Sequence, residues 1–139
     1  MTMELQPEHY ELAIALSAME AAMTGLWYPS ESDALVSLVI YADPLPDTEA
    51  LAQKLGAGDD SLEIQPAEAF FRPVLHNPYW ASEQGGHLAQ KYANLRDVLE
   101  THLDDLQSIR VGRGNVTLYL LGRHSTGCYL GLCTHAVET

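Results

Sequence analysis

From Leu106 to Thr139 the chain is written as short strands separated by tight turns, and this stretch limits the fold more than any other. Ser108-Ile109-Arg110-Val111 is followed by a Gly112-Arg113-Gly114-Asn115 turn and then by Val116 to Leu121. A second turn is expected over Gly122 to Gly127, and a third strand over Cys128 to Val137. Gly and Asn between β-branched and leucine runs are the signature of an antiparallel meander. Val116, Leu118 and Leu120 alternate with Thr117 and Tyr119, so one face points into a core and the other is partly covered. The chain closes on Ala136-Val137-Glu138-Thr139, which puts Glu138 and the α-carboxylate of Thr139 at the rim of a stiff sheet.

The earlier residues read as the scaffold for that end. Pro7 fits a helix's first turn, with Gln6 as a weak cap; Leu12, Leu16, Met19 and Met23 recur at helical spacing until Gly25 stops the run. Residues 26–33 read as a loop, because Pro29 cannot sit in a central strand. Leu35 to Ala42 is apolar except at Ser37, which suits a strand covered on both faces. Asp47 caps a short helix from Thr48 to Leu55, closed by Gly56, and Ser61 to Gln65 reads as a strand. Ala67 to Arg72 forms a brief helix that ends near Pro73. Ser82 caps a long helix with Leu88, Tyr92, Leu95, Leu99 and Leu103 as its buried stripe, although Gly85 and Gly86 weaken its first turn. No linker divides the 139 residues, so residues 1–139 are one α/β or α+β domain, helices layered on a sheet of about four or five strands.

The net charge of −12 repels nucleic acid and attracts a basic surface, including that of an enzyme that itself binds nucleic acid. Charge alone is also explained by solubility. No apolar run is long enough for a membrane span, and Met1-Thr2-Met3-Glu4 lacks a basic leader, so the expected location is cytoplasmic. Cys128 and Cys133 fall five apart on the last strand, which points them to opposite faces as small buried hydrophobes; a redox pair is the alternative. His9, His76, His87, His102, His124 and His135 are scattered without metal-ligand spacing, so no metal or other cofactor is expected. Gly112-Arg113-Gly114-Asn115 lacks the helix that follows a phosphate-cradling loop, and Ser30 is not in a nucleophile elbow.

Two loops carry large aromatics beside polar groups: Trp27 and Tyr28 before Ser30-Glu31-Ser32, and Tyr79-Trp80 after Pro78. Trp and Tyr on loops are favoured at protein–protein hot spots. Trp27, directly after the first helix, reads as core, whereas Trp80 suits core and interface equally.

Gly25-Leu26, Ser30-Glu31-Ser32 ahead of a strand, Ala69-Phe70-Phe71, Trp80 before a long helix, and the close Gly131-Leu132, Thr134, Val137-Glu138-Thr139 together resemble the nuclease A inhibitor family. The resemblance covers Thr24 to Ala42 and Glu68 to Thr139, while residues 43–66 match poorly. It implies a three-layer α/β/α sandwich with a largely antiparallel sheet. It also implies a non-enzymatic inhibitor whose partner is a basic, metal-dependent nuclease cleaving DNA and RNA. By the same resemblance Glu31, between Ser30 and Ser32, enters the nuclease cleft as a phosphate mimic. Trp80 is an interface anchor, and Thr139, beside Glu138, brings its carboxylate and hydroxyl toward the partner's metal. Tyr79 stands where the family pattern has an acid, and Glu83 one turn on replaces it only in part.

Two other readings stay open from the residues: the same fold with another basic partner or a small ligand, and an enzyme using His124 or His135 with Cys133.

Overall fold

The computed structural model describes residues 7–28, 34–41, 62–75, 83–112 and 114–137, with side chains from Tyr10 onward in the first of these segments and from His87 onward in the fourth. Helix α1 (Pro7–Met23) leads to β1 (Trp27–Tyr28), β2 (Ala34–Leu35), β3 (Ser37–Tyr41) and β4 (Leu62–Pro66). Helices α2 (Glu68–Leu75) and α3 (Glu83–His102) follow, and then β5 (Asp104–Val111), β6 (Asn115–Arg123) and β7 (Tyr129–Val137). Strands β5, β6 and β7 form the expected meander inside a five-stranded antiparallel sheet of order β3-β7-β6-β5-β4. Strands β1 and β2 pair separately, Trp27 with Leu35 and Tyr28 with Ala34.

Alternation along the strands separates two faces. Val116, Leu118 and Leu120 of β6 and Leu130, Leu132 and Ala136 of β7 share one core with Ala15, Met19 and Met23 of α1, Phe70, Phe71 and Val74 of α2, and the α3 stripe. That stripe is as the spacing predicts: Leu88, Tyr92, Leu95, Leu99 and Leu103 are all buried. Burying one such side chain contributes about 1.5–3 kcal/mol, which is what fixes three helices on this face. On the other face Ile109, Val111 and Leu121 form a second cluster, with Val39, Tyr41, Leu62 and Tyr119 against it. Among the described residues all three helices lie on the first face. The short helix expected over Thr48 to Leu55 falls outside them, so what is established is an α/β fold with helices on an antiparallel sheet.

Several expectations are corrected. Leu35 to Ala42 is less covered than expected: β3, the outer strand of the sheet among the described residues, packs Leu38 on one face and Val39 and Tyr41 on the other, but Ser37 and Ile40 are exposed. Trp27 and Tyr28 are paired strand rather than loop. Helix α2 runs through Pro73 to Leu75, because Val74 completes the buried set with Phe70 and Phe71 while the proline faces outward. Inside the helix the proline lacks one N–H and crowds the carbonyl four residues earlier, a cost offset by the burial of Val74. Helix α3 does start at Glu83, directly after the expected cap, with Gly85 and Gly86 in its first turn. Strand β5 begins at Asp104, and its register shifts between Asp104 and Gln107 around Asp105, whose φ is 54°.

The second turn also comes later than the glycines suggest. Strand β6 continues through Gly122 to Arg123, and the turn is His124 to Cys128, so Cys128 precedes β7 instead of lying in it. Gly122 is there for room: a Cβ would sit 2.8 Å from Leu103 Cβ and 3.0 Å from Leu106 Cδ2. Gly131 is tighter still, since any Cβ would run into the Leu120 carbonyl of the adjacent strand.

Candidate functional site

The feature that stands apart from the sheet is the β1–β2 hairpin, which is fastened at its base from four directions. The Leu26 N–H donates to the Met23 carbonyl at 2.9 Å, tying the hairpin to the end of α1, and the Val36 N–H donates to the Leu26 carbonyl at 2.9 Å. The Tyr28 hydroxyl donates to the Phe70 carbonyl in α2 at 2.9 Å. The Tyr92 hydroxyl, from α3, donates to the Trp27 carbonyl at 2.8 Å. The Thr134 hydroxyl, from β7, is shared between the carbonyls of Leu35 at 3.1 Å and Ala34 at 3.4 Å. Two strands of two residues each have little stability of their own, so these bonds and the packing below them hold the hairpin.

That packing is aromatic. The Tyr28 and Phe70 rings lie 4.8 Å apart between centroids, Tyr28 meets Tyr92 edge-on at 6.2 Å, and Phe70 meets Phe71 edge-on at 5.3 Å. Burial, and then the neighbouring Tyr28, push the Tyr92 phenol far above its ordinary range, so it stays a neutral donor. Trp27 is half-buried and packs against the core, as expected for the residue just after α1.

The register places the hairpin at one end of the molecule. Strand β3 pairs Ser37 with Cys133 and Tyr41 with Tyr129, so the chain just before Ser37 lies level with the C-terminal half of β7. Val137 is paired with Asn115 at that same end. Helix α3 runs from the Trp27 level at Tyr92 to the Gly122 level at Leu103, so Glu83 lies beyond Tyr92 toward that end too. Tyr28 and Ala34 on either side of residues 29–33, Glu83 after residues 76–82 and Val137 before residues 138–139 therefore lie toward one end of the sheet.

The expected binding residues themselves, Ser30, Glu31, Ser32, Tyr79, Trp80, Glu138 and Thr139, all lie outside the described residues. What can be placed is their support. Tyr92 was legible as a buried stripe position and Thr134 only as part of the family resemblance; each is a buried residue with a polar tip that must find a partner, which is the signal for a clamp.

The residues of the enzymatic reading are not assembled into a reactive group. His124 is buried in the β6–β7 turn; its Nδ1 accepts from the Thr126 N–H at 3.2 Å and contacts the Thr126 hydroxyl at 2.9 Å, which leaves the proton of the neutral ring on Nε2. His135 is exposed, with Nδ1 3.4 Å from the Thr117 hydroxyl. Cys133 instead shares a hydrogen-bonded group with Tyr119 and Tyr41 on the face away from the described helices. Burial pushes its thiol up, away from the thiolate that a nucleophile needs. Cys128 is buried on the helix side, so the two cysteines are on opposite faces, and both are free. Among the described residues no three His, Cys, Asp or Glu side chains are grouped to hold a metal ion, and no helix is long and apolar enough to cross a membrane.

Helices on an antiparallel meander, with a separate hairpin pinned beside the last strand, define an α/β protein whose buried polar side chains hold backbone in place. The model of the family described as nuclease A inhibitor-like protein matches residues 14–139, nearly the whole chain, and the chain belongs to that family. No curated protein matches it significantly.

Proposed function

We propose that the chain inhibits a basic, metal-dependent, sugar-nonspecific nuclease by filling its cleft as a nucleic-acid mimic. Glu31 presents an anionic oxygen where a phosphate would lie. The Thr139 carboxylate and hydroxyl, with Glu138 beside them, approach the partner's metal, and Trp80 with Tyr79 anchors the contact in the presence of Ser30 and Ser32. A nuclease site stabilises phosphate with a cation and with Lys or Arg, and a carboxylate on a rigid frame engages both without offering a scissile bond. The observation that carries this reading is the gathering of the hairpin base and the end of β7 at one end of the sheet, joined by Thr134. The net charge of −12 fits a basic partner.

The third layer of the sandwich belongs to the same proposal. Ile109 is 0 % exposed and Leu121 is 1 % exposed on the face away from the described helices. We propose a helical layer over that face as well, which completes the sandwich that the resemblance implies.

The test is inhibition of a metal-dependent nonspecific nuclease from the source cell, recovered by pull-down on this protein. Removing one partner of a desolvated interfacial charge pair typically costs about 2–5 kcal/mol. Glu31→Ala and deletion of Thr139 are each expected to weaken inhibition about tenfold or more, with unchanged circular dichroism. Inhibition equal to wild type in both variants overturns the site. The Tyr79 substitution favours one other reading, a shifted target; it predicts capture of a basic protein with no nuclease activity.

A further inference from the structure

The row of side chains that β6 turns toward the helices, Val116, Leu118 and Leu120, runs on past Gly122 to His124. His124 is only 3 % exposed, and its ring lines a groove of about 340 Å³ where α1 and the end of α3 come over the sheet. Its Nδ1 is turned back onto Thr126, so the proton-bearing Nε2 points away from the turn. No described residue accepts from that nitrogen. Among the described residues no fully buried side-chain nitrogen lacks a partner, so Nε2 opens onto the groove. The walls include Glu11 and Ile14 of α1, His102 at the end of α3, Asp104 and Ser125. Asp104 is level with Arg123 and Arg123 with Tyr129, which puts the groove at the opposite end of the sheet from Val137 and the hairpin.

Those walls select a ligand. Glu11 and Asp104 bring two carboxylates, and the last carbonyls of α3 add partial negative charge, so a cation is favoured. No Lys or Arg lines the groove, and Arg123 is paired with Asp105 at 3.5 Å. The Ser125 hydroxyl donates to Glu11 at 3.2 Å and ties that carboxylate to the β6–β7 turn. A metal ion does not fit, because His124 offers an N–H there rather than a lone pair, and no three ligating side chains are grouped among the described residues. An N–H donor beside two carboxylates takes a neutral acceptor, since they repel an anion. We propose that this groove binds a primary ammonium group with a carbonyl beside it, the chemistry shared by an amino-acid amide and the first residue of a peptide. The ammonium lies with Glu11 and Asp104 at the end of α3, the carbonyl accepts from His124 Nε2–H, and the ligand's side chain rests on Ile14, which is 61 % exposed. The volume is at the small end of ligand pockets, about 300–1,000 Å³.

NMR titration of the isotopically labelled full chain tests this at pH 7, where a free α-amino group (about 7.7–8.0) is mostly charged and a free imidazole (about 6.5) mostly neutral. Leucinamide is expected to shift the Glu11 and Ser125 amides and the His124 Nε2–H saturably, with millimolar affinity. Isoamylamine, which lacks the carbonyl, and N-acetyl-leucinamide, which lacks the charge, are each expected to bind about threefold more weakly or worse, the worth of one hydrogen bond or ion pair. Glu11→Gln and Asp104→Asn, both at exposed positions and so expected to fold as wild type, each weaken leucinamide about two- to fivefold. Leucyl-glycyl-glycine that binds as well as leucinamide makes a chain terminus the source, and weaker binding makes it a free amino-acid derivative; the proposed chemistry holds in both. Absence of saturable shifts overturns the proposal. So does isoamylamine that binds as tightly as leucinamide, and so do carboxylate variants that bind as tightly as wild type.

Discussion

At the scale of single residues, the hairpin is held by three hydroxyls, those of Tyr28, Tyr92 and Thr134. Tyr92→Phe removes the hydroxyl that donates to the Trp27 carbonyl, a loss of about 0.5–1.5 kcal/mol. Urea unfolding checks it, and Tyr92→Phe as stable as wild type would remove the clamp from the account. Gly131 is the least replaceable residue of the sheet. Gly131→Ala drives a methyl into the Leu120 carbonyl, for which about 3 kcal/mol or more is expected, the upper end of overpacking; a normal melting curve would contradict it. The phenols predict alkaline behaviour. Burial raises Tyr92 and Tyr119, and Tyr41 less so, above the value near 10 of a free phenol. The stability they contribute is present in full below about pH 10. It falls above that, because the unfolded chain releases protons the folded chain keeps. The urea midpoint is therefore expected to drop as pH rises past about 10, and less steeply in Tyr92→Phe.

At the scale of elements, β3 is an edge without a protecting charge or proline from Leu35 to Tyr41. Such edges invite pairing with other chains. Ile40→Lys is expected to slow aggregation measured by light scattering on heating, with stability changed by less than about 1 kcal/mol; faster aggregation would argue that β3 is covered. The elements were also where the amino-acid pattern said most. The meander and the α3 stripe follow from period two and period 3.6 over long runs, and both are found where expected. Two of the misreadings share a cause, that glycine and proline signal more than one thing. Gly122 reads as a turn because a close approach to Leu103 leaves no local mark. Pro73 reads as a stop because the burial of Val74 is decided by tertiary packing. Strand β3 reads as covered on both faces because its apolar content does not reveal how much of each face is packed, and Ile40 is exposed.

At the scale of the whole molecule, the family was legible from an ordered set running from Gly25-Leu26 through Ala69-Phe70-Phe71 to Val137-Glu138-Thr139, and membership of the nuclease A inhibitor-like family now rests on nearly the entire chain. The placement of Thr134 against Ala34 and Leu35 was not, since 100 and 99 residues of chain separate the partners. If the −12 charge draws in a basic nuclease, inhibition should weaken as salt rises from about 0.1 M to 1 M, where the screening length shrinks from about 10 Å to about 3 Å. Salt-independent inhibition would assign the contact to apolar burial instead.

The central claim is that the loop acid at residue 31 and the end of the chain at residue 139 stand together at one end of the sheet. Spin labels at those two positions, read by double electron–electron resonance on the free protein, measure this without any partner. The account expects a separation under about 20 Å, well short of the roughly 30 Å that a nine-residue strand spans at about 3.3 Å per residue. A separation of that strand's full length or more would place the two groups at opposite ends and contradict it.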